Sequence, residues 1–293
     1  MERVSQVQTP DSRILCVHEA GDPGGRPVVT HHGTPGSGGH YARHDAIARE
    51  LGLRLIAYDR PGYGGSGRHP GRTVADAAAD TAAILDALDL ERFATWGLSG
   101  GGPHALACAA LLPDRCAVAA TIAGVAPHDA VDLDWLAGMG EDNVAEFGAA
   151  VAGEEAITEF LRPVGAELAE ARSEDLVPAL RSVLSDVDAA ALTDALGDWL
   201  VGLFHHGLAG GQAGWIDDDL AFVRSWGFEL NAITVPVVVW QGAHDLMVPP
   251  AHGRWLGAHV AGAELRFSAA DGHLSLVETQ MSSILAALSR YTF

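Results

Sequence analysis

Hydrophobic positions in the first 125 residues fall into short blocks separated by longer stretches of mixed polarity. Ile14 to Val17, Val28 to His31, Leu53 to Tyr58, Phe93 to Trp96 and Val118 to Ile122 are apolar or β-branched runs of strand length. Between them the clearest helical spacing runs from Thr73 to Leu88, where Val74, Ala77, Ala78, Thr81, Ile84, Leu85 and Leu88 make one apolar face. Thr73 and Asp76 stand at capping-box spacing, with Asp in place of the usual Glu or Gln. Strand alternating with helix predicts an α/β fold: a mostly parallel sheet flanked by helices on both sides.

From about Pro127 to Asn231 the alternation stops. This stretch is helical in pattern, rich in Ala, Glu, Asp and Leu, with Trp135, Trp199, Trp215 and Trp226 dispersed through it. Alternation resumes at Val235 to Trp240, continues through Glu264 to Ser268, and closes on a helix from about Ser275 to Arg290. The pattern therefore predicts one α/β core domain built from residues 1–126 and 232–293, with residues 127–231 inserted as a helical cap. The insertion leaves and re-enters at one sheet edge, and its apolar faces need a surface to bury against, which predicts a lid over that edge.

Composition narrows the classes. In 293 residues, 48% are hydrophobic and 19% charged, which excludes disordered, collagenous and coiled-coil chains. The 38 acids outnumber the 18 bases by 20, and every base is Arg because no Lys occurs. A field of that sign repels nucleic acid and anionic membranes, so neither is an expected partner. Cys16, Cys108 and Cys116 cannot all pair within the chain and show no metal-ligand spacing. A reduced, cytoplasmic setting is the simplest expectation, in keeping with an N-terminal stretch that lacks the apolar core of a signal peptide.

The strongest chemical signal is Gly97-Leu98-Ser99-Gly100-Gly101, a G-x-S-x-G sequence between the strand at Phe93 to Trp96 and an apolar helix reaching about Leu112. A serine on so tight a turn needs small neighbours, and the turn lifts its hydroxyl clear of the sheet. The helix behind it aims amide dipoles at developing negative charge. The competing reading, a phosphate-binding turn, lacks the G-x-G-x-x-G pattern.

Four further segments appear in order. His31-His32-Gly33-Thr34-Pro35-Gly36 follows the strand at Val28; Asp59-Arg60-Pro61-Gly62-Tyr63-Gly64-Gly65-Ser66 follows the strand at Leu53; Gln241-Gly242-Ala243-His244-Asp245 precedes Val248-Pro249; and Asp271-Gly272-His273 precedes the last helix. With the Ser99 turn, this set resembles the α/β-hydrolase superfamily with a helical cap, in its serine esterase and proline iminopeptidase-like branch. The resemblance implies Ser99 as nucleophile, His273 as its base, Asp245 as the acid orienting His273, and an oxyanion hole from the amides of Thr34 and Gly100. No cofactor or metal is implied.

Several residues compete with these roles. Asp271 is two positions from His273 and rivals Asp245 as the acid. His104 reads as a packed helix residue, His32 as a stiffener of the Thr34 loop, and His244, His252 and His259 as surface or neighbouring-loop residues. The 14 histidines show no H-E-x-x-H or similar metal pair. Asp59 to Ser66 suits a structural turn. Asp217-Asp218-Asp219 reads either as a helix N-terminus or as a recogniser of a substrate amine, and the tryptophans either as core or as walls of an acyl pocket.

A serine at the elbow argues against the dehalogenases and epoxide hydrolases of this fold, which place an aspartate there. The expectation is therefore a serine hydrolase cleaving a small-molecule carboxylic ester, lactone or thioester through an acyl-enzyme. A proline iminopeptidase-like aminopeptidase and a small-molecule binding protein on the same scaffold are the alternatives.

Overall fold

The computed structural model of the protein describes residues 3–291, so the outermost residues of the predicted core domain lie outside the described part. One sheet contains β1 (Arg3–Gln8), β2 (Ile14–Gly21), β3 (Arg26–His31), β4 (Leu53–Tyr58), β5 (Phe93–Leu98), β6 (Cys116–Ile122), β7 (Val237–Gly242) and β8 (Glu264–Ser268). Their spatial order is β1-β2-β4-β3-β5-β6-β7-β8. β1 and β2 pair antiparallel, as do β2 and β4, and all pairings from β4 to β8 are parallel. This is the mostly parallel sheet that the alternating pattern predicts.

The helices are α1 (Ala42–Glu50), α2 (Asp76–Ala87), α3 (Gly101–Leu111), α4 (Glu141–Ala152), α5 (Glu154–Glu170), α6 (Leu176–Ala179), α7 (Asp186–Ala191), α8 (Asp194–Leu208), α9 (Ala213–Phe222), α10 (Pro250–His259) and α11 (Leu274–Leu288). Side chains alternate across each strand, and both faces of the central strands are covered. On one face Val118, Ala120 and Ile122 of β6 pack with Leu276, Ile284 and Leu285 of α11. On the other, Ala119 and Val237 pack with Leu106 of α3, Leu85 of α2 and Leu256 of α10. Burial on both sides is why these strands read as continuous apolar runs.

Three elements depart from the sequence reading. β1, with the sequence RVSQVQ, buries only Val7 fully, so an edge strand with few apolar positions escapes a hydrophobic pattern. The Thr73 and Asp76 pair forms half a capping box: the Asp76 carboxylate accepts from Thr73 N at 2.7 Å, but the helix starts at Asp76 itself. Val235 and Pro236 precede β7 rather than open it.

Between β6 and β7 every regular element among the described residues is helical, from α4 to α9 with short 3₁₀ turns. Because β3 to β7 run parallel, the segments after β3, β4, β5 and β7 all emerge at one sheet edge, where open α/β sheets gather their sites.

Candidate active site

Ser99 follows β5 directly and has φ +53°, a conformation a non-glycine residue adopts at a strain cost. Its amide donates to the Ile122 carbonyl at 2.8 Å, and its carbonyl accepts from Gly102 N at 2.9 Å, which fixes the turn from β5 into α3. The glycines of the motif have a steric reason. A Cβ on Gly97 would collide with the backbone of Gly101, and one on Gly101 would come within 2.7 Å of the His31 carbonyl carbon.

Across from Ser99 stands an acid–base pair. His273 Nδ1 lies 2.8 Å from Asp245 Oδ2, and both residues are buried. Asp245 Oδ1 accepts from the amides of Met247 and Val248 at 2.9 and 2.8 Å, which fixes the carboxylate. Burial disfavours the charged form of His273, but the charge of Asp245, its hydrogen bond and the nearby charge of Asp188 outweigh this and raise its pKa above the ordinary value. Asp271 is engaged elsewhere, accepting from Ser268 Oγ at 2.6 Å and Gln280 Nε2 at 3.1 Å.

The Thr34 loop closes on the same point. A Cβ built on Gly33 would sit 3.7 Å from Ser99 Cβ, and one on Gly100 would sit 2.9 Å from Thr34 Cβ, so the backbones of residues 33–34 and 99–100 approach closely. His32 stiffens this loop as a neutral ring. Its Nε2 accepts from Arg60 N at 3.1 Å, which leaves the proton on Nδ1 to donate to Gly33 O at 2.7 Å. Burial, then the charge of Arg60, lowers its pKa well below the ordinary value. His104 packs in α3 with Nδ1 2.8 Å from Gly100 O.

Ser99, Thr34 and His273 open onto a cavity of about 360 Å³ whose far wall comes from the helical segment: Phe160 and Leu168 of α5, Leu200 and Phe204 of α8, and Trp215 of α9. The volume falls in the range of small-molecule sites. Glu146 of α4 also faces the cavity and accepts from Trp215 Nε1 at 2.7 Å. Burial first, then the neighbouring Asp142 charge, pushes Glu146 up to about 7. Asp219 is raised as well, by burial and by the neighbouring Glu146 carboxyl.

Residues 26–279 match the family described as alpha/beta hydrolase fold. The chain belongs to the α/β-hydrolase family. It is 30% identical to a non-heme chloroperoxidase of Streptomyces lividans over 84% of this chain and 83% of the relative. A probable proline iminopeptidase of Leptolyngbya boryana is 24% identical over 94% of this chain and 90% of its own length. Among solved structures, an α/β-hydrolase fold protein from Nakamurella multipartita superposes with a TM-score of 0.65 at 29% identity, covering 98% of both chains.

In this α/β hydrolase two acids from the helical segment hold the site loops, and sequence reasoning singled out neither for that work. Asp188 of α7 accepts from His273 N at 2.9 Å, and from Ser275 N and Oγ at 2.9 and 2.8 Å. Asp218 of α9 accepts from Arg60 Nη2 at 2.6 Å and Thr34 Oγ1 at 2.8 Å, and pairs with Arg72 at 2.7 Å. Arg60 reaches on to Gly33 O at 3.0 Å, and to the His32 carbonyl. The turn from Asp59 to Ser66 thus braces the Thr34 loop through Arg60.

The acidic run Asp217-Asp218-Asp219 is neither a helix N-terminus nor exposed. It sits inside α9: Asp217 pairs with Arg68 and Asp218 with Arg60 and Arg72, while the buried Asp219 carboxyl neighbours Glu146. His252 is likewise not a surface residue but a buried bridge, accepting from Ala126 N at 3.1 Å with Nε2 2.8 Å from Trp135 O. His244 and His259 are exposed. Of the tryptophans, Trp215 lines the cavity, while Trp135 and Trp226 pack in the core.

Proposed function

We propose that this chain is a serine hydrolase that cleaves small carboxylic esters, with Ser99, His273 and Asp245 as its triad. The observation that carries the reading is the 2.8 Å contact of His273 Nδ1 with Asp245 Oδ2 in the cavity that Ser99 enters at positive φ. Asp245 holds the imidazole with its proton on Nδ1, so Nε2 is the basic nitrogen. Ser99 Oγ attacks the ester carbonyl carbon as His273 Nε2 takes its proton. The resulting oxyanion is bound by the Thr34 and Gly100 amides. Collapse expels the alcohol, which takes the proton from His273, and water repeats the sequence on the acyl-enzyme.

The apolar wall of Phe160, Leu168, Leu200 and Phe204 favours an acyl chain or aromatic ring, and the helical segment acts as the cap that selects it. The three cysteines form no disulfide, which fits a reducing cytoplasm. Among the described residues no helix is long and apolar enough to cross a membrane.

One observation favours a second reading. Glu146, Glu167 and Asp142 all line the cavity, and carboxyl groups there suit a substrate amine, as in an aminoacyl amide. A screen of p-nitrophenyl esters of graded chain length, lactones and aminoacyl arylamides separates the two. Steady ester turnover, with Ser99 labelled by a small phosphonate and Ser99→Ala losing on the order of 10⁶ in rate, supports the first. Preferential arylamide cleavage supports the second, and tight retention of ligand without turnover supports a binding protein instead.

A further inference from the structure

A second cluster of donor side chains lies apart from Ser99, at the seam where α8 meets the core. Cys16 and His18 are two positions apart on β2 and leave the same face of the strand. Asp59 follows β4, which pairs with β2 through Val17 and Tyr58. His206 lies in the last turn of α8. Cys16 Sγ is 3.6 Å from His18 Nε2, His18 Nε2 is 3.2 Å from Asp59 Oδ1, and His206 Nε2 is 2.8 Å from Asp59 Oδ2. All four donor atoms lie within 4.8 Å of one another.

The geometry points to a zinc site formed by Cys16, His18, Asp59 and His206 that fastens the helical segment to the sheet. A tetrahedral zinc with bonds of about 2.3 Å to sulfur and about 2.0 Å to nitrogen and oxygen has S···N edges of about 3.6 Å and N···O edges of about 3.3 Å. The Cys16–His18 and His18–Asp59 separations already match those edges, and the remaining donor pairs lie within 4.8 Å, with His18 on Asp59 Oδ1 and His206 on Oδ2. One thiolate, two imidazoles and a carboxylate make a closed set with the N, O and S chemistry that zinc takes.

The surroundings suit an ion as well. Gly38 N and Gly65 N donate to Asp59 at 2.8 and 3.0 Å and orient the carboxylate from behind, as outer partners of metal ligands do. Gly64, at φ +46°, admits no Cβ, since one would lie 2.7 Å from His206 Nε2, so backbone closes one side. The His206 side chain is 45% exposed and leaves a path from solvent. On binding, the Cys16 thiol gives its proton to solvent and each ring keeps its proton on Nδ1. The donors come from three distant segments, which is why no ligand spacing marks them in the sequence.

The consequence reaches the cavity wall. Gly207, next to His206, packs against Gly36 of the Thr34 loop so closely that a Cβ would lie 2.8 Å from the Gly36 carbonyl carbon, and Gly207 O accepts from Gly64 N at 3.0 Å. Leu200 and Phe204 of the same helix line the cavity. An ion at the cluster therefore pins the helix that bounds the acyl wall.

The test uses the full chain, purified, treated with chelator and kept reduced, then titrated with Co²⁺ and afterwards with Zn²⁺. One equivalent of cobalt is expected, with a thiolate charge-transfer band and the intense visible bands of tetrahedral coordination, and zinc should displace it. Cys16→Ser should abolish the charge-transfer band, and His206→Ala should weaken zinc binding by at least about 100-fold, beyond the roughly 10- to 100-fold that outer partners cost. Zinc should raise the melting temperature of the unsubstituted chain by roughly 5 °C and that of neither variant. Absence of stoichiometric uptake, or bands that persist in Cys16→Ser, would overturn the site and leave a hydrogen-bonded His–Asp–His network. Uptake without a rise in melting temperature would overturn the clamp. None of these readouts depends on hydrolysis.

Discussion

Removing Asp188 tests whether the helical segment anchors the His273 loop or merely covers it. The carboxylate is fully buried and accepts from the amides of His273 and Ser275 and from the Ser275 hydroxyl, at 2.8 to 2.9 Å. These amides belong to the unpaired donors at the N-terminus of α11, so Asp188 caps that helix from another part of the chain. Asp188→Ala strands two buried amides whose bonds to a charged acceptor are worth about 1.5–3 kcal/mol each. Water entering the vacated space recovers part of this, and the expected loss is about 3 kcal/mol by urea unfolding. The His273 backbone then loses an anchor, and displacement of a reacting group by about 1 Å costs roughly 100-fold in kcat.

Asp188→Asn separates charge from shape. The Asp188 charge is one of the groups raising the His273 pKa, so neutralising it lowers that pKa. In the proposed mechanism His273 must be neutral to accept the Ser99 proton, so the acid limb of the kcat profile should move to lower pH. Gly272→Ala offers a check without touching the acid, since a Cβ there would lie 2.6 Å from Asp188 Cγ and should reproduce the defect. If Asp188→Ala unfolded with unchanged free energy and an unchanged pH profile, the anchoring argument would be wrong.

Three further outcomes follow from the same geometry. Asp245→Asn should lose on the order of 10³ to 10⁴ in turnover through the wrong imidazole tautomer, whereas Asp271→Asn should stay active; the reverse result in steady-state kinetics would reassign the acid. Asp218→Asn leaves Arg60 and Arg72 buried without a counter-charge and should cost about 3–5 kcal/mol, read by chemical denaturation. Glu146, raised to about 7, gains its charge only as pH rises. With Asp219 raised beside it, the pair's contribution to stability is complete below the ordinary carboxylate pKa and is lost as pH rises past about 7, so Glu146→Gln should flatten that fall; melting curves at pH 5 and pH 8 that fall equally in both proteins would refute this.

What the sequence made legible was local. Ser99 could be read because a strand, a glycine-bracketed turn and a helix follow one another in a few residues, and each imposes its own composition. Asp245 was singled out through the motif that follows the apolar run of β7, and His273 through the Gly-His turn before α11 alone, since β8 is polar in alternation and mostly exposed. β1 was not legible, because an edge strand with one fully buried side chain does not need an apolar pattern. Asp188 and Asp218 were invisible for a different reason: their partners lie 85 and 158 residues away. A buried acid in a helix looks like a solvated one until the fold brings its arginine or its helix N-terminus to it.

That long-range bracing ties the helical segment between β6 and β7 to the site loops at two points. Asp218 ties α9 to Arg60 and the Thr34 loop, and Asp188 ties α7 to the His273 loop. Lifting the whole segment off the sheet would unpair both acids at once, and breaking a buried charge pair costs about 3–5 kcal/mol. Both the Thr34 loop and the His273 loop would lose their anchors in the same motion. The walls formed by Phe160 and Leu168 of α5 and by Leu180 carry neither acid, although they bound the same cavity. That side of the wall is therefore free of the two acids that anchor the Thr34 and His273 loops. On the proposed function, the α5 part of the inserted segment that contacts substrate and the parts that anchor the reacting groups are thus different helices.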